Sequence, residues 1–257
     1  MSPVASLLRV GISFLLLSAS ALASGDSNPA VETLGDSLLF HVSFDHETIN
    51  ADLSPAAPED QSPDGNKGCR FINGVYGQAF FPAEKRIPRY ILKKSGIAIG
   101  NPGAVLVWVS PQDWDRSQPE SYVFFLRINA AQGQLMLAKS NLQGRSDRLY
   151  AFAKGGGDKG VSIGSGSTSG WSDGEWHLLA VNWGADWVAI SVDGSPFSQK
   201  EVPELKNFGE IEWILLGNGN GGSRNIAYDE VMILDRSLSH EEVDQLYQSG
   251  IKGKTQP

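Results

Sequence analysis

The stretch Asp173–Gly194, DGEWHLLAVNWGADWVAISVDG, decides the fold class. It holds two short apolar runs, His177–Trp183 and Trp187–Val192, parted by Gly184-Ala185-Asp186 and closed by Asp193-Gly194. Runs of this length, rich in Val, Ile and Trp and bounded by turn residues, read as strands. Asp193-Gly194 suits a tight hairpin turn that needs positive φ. Outward from it the same pattern repeats. Leu38, Phe40, Val42 and Phe44 alternate with Leu39, His41, Ser43 and Asp45, the period of two that marks a half-buried strand. Further strands are predicted at Ala104–Val109, Tyr122–Ile128, Gln134–Ala138, Leu149–Phe152, Ile211–Leu216 and Asn225–Leu234. Many strands between turns, with no helix-period segment among them, predict an all-β, two-sheet antiparallel β-sandwich.

One short C-terminal helix completes the expectation. Ser239 and Glu242 have the spacing of a capping box, Val243, Leu246 and Tyr247 fall on one face, and Gly250 is placed to stop the helix. The helix is expected to dock on the sandwich. Asn50–Gly68, rich in Pro, Asp, Gly and Ala, reads as a long loop. No internal repeat is evident.

Residues 1–23 read as an export signal: Arg9, the apolar run Val10–Leu17 and the small-x-small site Ala21-Leu22-Ala23. That apolar run is too short to span a bilayer. The expected organisation is therefore a signal over 1–23, a flexible lead-in over 24–36, one domain over 37–250 and a tail over 251–257. A secreted or periplasmic location follows. The 21 Lys+Arg stand against 29 Asp+Glu, a formal net charge of −8, which disfavours binding to phosphate backbones. No nucleic-acid partner is expected. Cys69 is the one cysteine, so no disulfide forms within the chain, and the domain must rest on its core.

Several segments together resemble the concanavalin A-like lectin/glucanase superfamily, and within it the laminin G-like, jelly-roll domains. Phe44-Asp45 is similar to the family's opening strand, and Gly74-Val75-Tyr76-Gly77-Gln78-Ala79-Phe80 to its G-x-x-G-x-A hairpin. Val105-Leu106-Val107-Trp108-Val109 resembles the tryptophan-bearing core strand, and Gly174-Glu175-Trp176-His177 the G-x-W-H strand. Tyr228-Asp229-Glu230-Val231, leading to Leu238-Ser239-His240-Glu241-Glu242-Val243, resembles the final strand and closing helix. The resemblance implies the sandwich already read from the alternation. It also implies that one structural calcium ion can be held between the first and final strands, with Asp45 and Asp229 among its ligands and backbone carbonyls completing the set.

The superfamily includes glycosidases, which usually carry paired carboxylates on one strand. No E-x-D-x-E-like run occurs here. Glu210 and Glu212 share one face, while Asp229 and Glu230, being adjacent, point to opposite faces on strict alternation. Gly217–Gly222 matches G-x-G-x-x-G, but the next segment reads as a strand, not the helix a dinucleotide site needs. Gly160–Gly164 matches G-x-S-x-G with no strand-to-helix elbow around Ser162. His41, His46, His177 and His240 have no zinc-like spacing. Trp108, Trp176 and Trp183 are expected in the core. Trp114, Trp171 and Trp187 lie at loops or strand ends, where an indole face can stack on a sugar ring. Burial or loop packing is the leading reading for each of the three; if a ligand is bound, the first candidates are Trp114 and Trp171, with Asp113 and Asp173 accepting hydrogen bonds. The sequence thus predicts an exported, non-catalytic module for a carbohydrate or glycoprotein surface. The alternative is a structural domain packed against an envelope or extracellular protein, and a polysaccharide hydrolase or lyase ranks third.

Overall fold

The computed structural model describes residues 28–55, 69–82, 88–112, 122–140, 147–155, 160–217 and 225–252. Its elements in chain order are α1 (Pro29–Leu34), β1 (Leu38–Val42), β2 (Arg70–Asn73), β3 (Gln78–Phe81), β4 (Arg89–Ile91), β5 (Ala98–Ile99), β6 (Gly103–Pro111), β7 (Tyr122–Ala130), β8 (Gly133–Ser140), β9 (Arg148–Gly155), β10 (Val161–Ser167), β11 (His177–Trp183), β12 (Trp187–Val192), β13 (Ser198–Glu201), β14 (Gly209–Leu216), β15 (Ile226–Leu234) and α2 (His240–Lys252). Eight strands form one sheet in the order β13-β12-β11-β6-β15-β3-β2, with β1 also on β15. The other sheet runs β10-β9-β8-β7-β14-β4, with β5 also on β14. The paired strands run antiparallel, as the alternation predicts.

The two sheets close on one apolar core. Val105, Val107 and Val109 of β6 and Leu179, Val181 and Trp183 of β11 meet Leu126 and Ile128 of β7, Leu135 and Leu137 of β8, and Ile214 and Leu216 of β14. Each such side chain taken from water contributes roughly 1.5–3 kcal/mol before entropy is charged against it. Residues of alternate register on β6 and β11, namely Ala104, Leu106, Trp108, Leu178 and Ala180, form a second cluster on the far side of the eight-stranded sheet with Val243 and Leu246 of α2. β6 and β11 are therefore buried on both faces, which is why their sequences are nearly unbroken apolar runs.

The capping box forms as expected: Glu242 N donates to Ser239 Oγ at 3.2 Å and Ser239 N to Glu242 Oε2 at 2.8 Å. Gly250, by contrast, does not stop α2, which continues to Lys252. Its role is close approach, because a Cβ there would lie 2.5 Å from Trp108 Cζ2. Tyr247 stacks on the same indole, with centroids 5.8 Å apart. The expected flexible lead-in also differs, since from Asn28 it is folded. Asn28 Oδ1 caps α1 by accepting from Ala30 N at 2.9 Å, and Ala30 and Leu34 are buried in the second cluster. Apolar positions four apart suffice for one anchored turn, a signal too short to separate from coil in the sequence. The export signal and most of the Asn50–Gly68 loop lie outside the described residues. Among the described residues no helix is long and apolar enough to cross a membrane.

Candidate functional site

Of the four expected ligand-binding residues, Asp113 and Trp114 lie outside the described residues. Trp171 is packed, the leading reading of its sequence position, and presents no exposed platform. It is 5% exposed, stacks on His177 with centroids 3.9 Å apart and planes 8° apart, and leans on Phe125 at 5.8 Å. The reason lies across the hairpin. Asp193, at φ 52, accepts from Leu178 N at 2.9 Å and holds His177 Nδ1 at 2.8 Å, so the imidazole is presented flat to the indole. Asp173 is exposed in the neighbouring turn, so the structure does not assemble it with an open indole face. Trp108, Trp176 and Trp183 are buried, as expected.

Asp45 and Asp229 do converge, on the hairpin between β2 and β3. Asp45 Oδ1 accepts from Gln78 N at 2.7 Å, and Asp229 Oδ2 accepts from Val75 N at 2.6 Å and Tyr76 N at 3.3 Å. A side chain at Gly74 would collide with Asp229, and one at Gly77, φ 56, with Asp45. Glu230 joins them. A bulge between Asp229 and Met232, with Glu230 at φ 50, breaks the alternation that placed the two acids on opposite faces. Asp229 pairs in register with Trp108, and His41, the partner of Glu230, with Met232; both Trp108 and Met232 belong to the helix-side cluster. The two acids thus share one side, and His41 Nε2 sits 2.6 Å from Glu230 Oε2. Burial, reinforced by the Glu230 charge, holds the Asp229 carboxyl well above the usual carboxylate range. Burial also raises Glu230, against the pull of His41. Asp229 Oδ1 and Glu230 Oε1 are buried without a hydrogen-bond partner. Among the described residues no group of three or more His, Cys, Asp or Glu side chains is arranged to hold a metal ion.

The remaining candidate chemistry lies on the outer face of the seven-stranded sheet. The eight-stranded sheet has its outer face covered by α1 and α2, whereas neither described α-helix lies on the seven-stranded one. Its outward positions follow from register. Trp213 lies opposite Asn129, Asn129 opposite Gln134, and Gln134 opposite Lys154. The adjacent row runs Arg89, Leu215, Arg127, Met136 and Phe152. With strands about 4.8 Å apart, the row from Trp213 to Lys154 spans about 14 Å. Arg89 and Arg127 both approach the Trp213 ring, at 4.8 and 5.3 Å from its centroid. Arg127 Nε and Gln134 Oε1 are buried yet make no hydrogen bond. Buried polar atoms left unpaired are uncommon in folded proteins.

The sequence matches the family model of the concanavalin A-like lectin/glucanases superfamily over residues 92–244. The chain belongs to that superfamily. Known structures agree on the fold. The botulinum neurotoxin serotype D binding domain superposes with a TM-score of 0.69 at 12% identity, covering 86% of this chain and 53% of that one. The binding domain of Paraclostridial Mosquitocidal Protein 1 gives 0.64 at 14% identity, covering 83% and 52%. The serotype D ligand-binding domain in complex with N-acetylneuraminic acid gives 0.66 at 13% identity, covering 85% and 52%. This superfamily member therefore spans about half the length of those structures. No curated protein matches the sequence.

Sequence reasoning missed Trp213, Arg89 and Arg127. Strict alternation from Ile211 points Trp213 inward with the core residues. A register shift between Ile211 and Trp213 turns the indole outward while Ile211 and Ile214 stay in the core.

Proposed function

We propose that this domain is an exported, non-catalytic carbohydrate-binding module whose ligand lies along the open face of the seven-stranded sheet, across Trp213, Asn129, Gln134 and Lys154. The carrying observation is the half-buried Trp213 indole on the outer face of that sheet, flanked by the Arg89 and Arg127 guanidinium groups at 4.8 and 5.3 Å from its centroid. Sugar sites combine such converging polar groups with an aromatic surface. The sialic acid complex of a domain sharing the fold supports the ligand class. Affinity electrophoresis through gels holding neutral and acidic polysaccharides tests the reading. Retention by at least one polymer, weakened by Trp213→Ala, is expected; retention by none would overturn it.

The calcium expectation also becomes a proposal. Asp45 and Asp229 offer the hard oxygens calcium prefers, and the orphaned Asp229 Oδ1 is the donor still open. They supply two ligands, so most of the shell would have to come from backbone carbonyls. A bound ion would also keep Asp229 ionised where burial alone favours its neutral form. Melting in millimolar calcium and in chelator tests this. A rise in Tm with calcium that Asp229→Asn abolishes is expected, and superimposed curves would contradict it.

A further inference from the structure

We infer that the ligand of the open face is an acidic polysaccharide, its carboxylate or sulfate groups gripped by Arg89 and Arg127 at Trp213. The inference rests on the carbohydrate-binding reading above and adds the chemical class.

Two guanidinium groups lie within 4.8 and 5.3 Å of one ring centroid. Both cations are drawn to the indole, and an anion bound there would pair with them. None is supplied from within. Arg89 and Arg127 make no ion pair or hydrogen bond with any described residue, and the same holds for Lys154 and Arg148 on the same sheet. Elsewhere basic side chains do find acids: Arg236 Nη2 lies 2.7 Å from Glu242, and Lys93 Nζ 4.0 Å from Glu212. The chain has 29 acidic against 21 basic residues, so cations without acids on one sheet are not forced by composition.

Glu212 is the carboxylate bordering the face, and it is engaged from the side by Asn129 Nδ2 at 3.3 Å and by Lys93. The overall charge of −8 does not forbid an acidic ligand, because in physiological salt charges more than about 8 Å away are largely screened. Arginine suits the task. Its planar fork matches the paired oxygens of carboxylate and sulfate, it stays charged at every relevant pH, and an indole beneath it holds the fork and strips water from one side. With Nε buried, the Arg127 Nη groups are the donors left to the anion.

The test is affinity electrophoresis of the full chain in gels containing polygalacturonate (carboxylate), dextran sulfate (sulfate), dextran (neutral) or, as an unrelated polyanion, double-stranded DNA. Parent, Arg127→Gln, Arg127→Met, Arg89→Gln and Trp213→Ala are compared, with thermal melts confirming that each is folded. Arg127→Met keeps the apolar stem, so it separates lost charge from lost packing. The expected result is retention by polygalacturonate or dextran sulfate and none by dextran. Binding should weaken at least about tenfold in either Arg127 variant and fall as salt rises. The responding polymer identifies carboxylate or sulfate as the group gripped. Trp213-dependent retention by dextran, unchanged in the arginine variants, would overturn the acidic class and leave the carbohydrate reading standing. Retention by DNA as strong as by the glycans would likewise overturn it. Retention by no glycan, or retention indifferent to Trp213→Ala, would remove both.

Discussion

Replacing Trp171 with alanine separates a packing role from a binding role. The indole is 95% removed from solvent, lies flat on His177 at 3.9 Å and touches Phe125. Burying a tryptophan withdraws about 200 Å² from water, a gross contribution of about 5 kcal/mol at 25 cal/mol per Å². Alanine keeps a small part of that, and the loop between β10 and β11 can partly collapse into the space. The lower end of the usual range for such truncations, about 3 kcal/mol, is therefore expected. For a chain of this size that corresponds to a fall in Tm of roughly 6–12 °C. His177 adds to the loss, because its buried Nε2, already without a hydrogen-bond partner, would lose its cover. Circular dichroism melts measure the shift, and polysaccharide affinity measured well below the melt shows whether binding survives. Unchanged melting together with lost binding would refute the reasoning and restore Trp171 as a ligand platform.

Two further perturbations probe the hairpin that Asp45 and Asp229 share. Asp229 has its folded pKa raised by burial, then by Glu230, so the folded chain holds this proton more tightly than the unfolded chain does. Without calcium, the stability this group contributes is full below about pH 4, the ordinary carboxylate value, and is lost as pH rises through the raised folded value. Melts in chelator should show that Asp229→Asn loses less Tm than the parent between pH 4 and 8; parallel curves would contradict the assignment. Gly77→Ala meets Asp45 and a positive φ at once and should cost about 2 kcal/mol or more, whereas Gly170→Ala, with no atom within 4 Å of the added Cβ, should stay within about 0.5 kcal/mol. Urea unfolding of the two variants reads the contrast.

The sandwich was legible because its central strands are bounded by residues with one conformational meaning. β11 and β12 end where Gly184 and Asp193-Gly194 stand, and both strands match their sequence-based limits residue for residue. The closing helix announced itself through Ser239 and Glu242. What escaped depends on register. A single extra residue in β14 turned Trp213 to the surface, and a second bulge in β15 put Asp229 and Glu230 on the same side. Periodicity cannot register such a shift, since a bulge changes which face a residue takes without changing its neighbours in sequence. Trp171 shows the reverse case. Its loop position left burial and exposure both open, and its burial is set by His177, which only the fold brings beneath it. The short strands β4 and β5 carry too few residues to show a period, and with β4 went Arg89.

The central claim is that the outer face of the seven-stranded sheet, and not the loops at its rim, receives the ligand. Hydrogen–deuterium exchange of the full chain with and without the polysaccharide that retains it tests this most directly. Slower exchange confined to peptides from β7, β8, β9 and β14 is the predicted result. Slowing instead in the segments around Asp113-Trp114 and Trp171–Asp173, with the four strands unchanged, would contradict it.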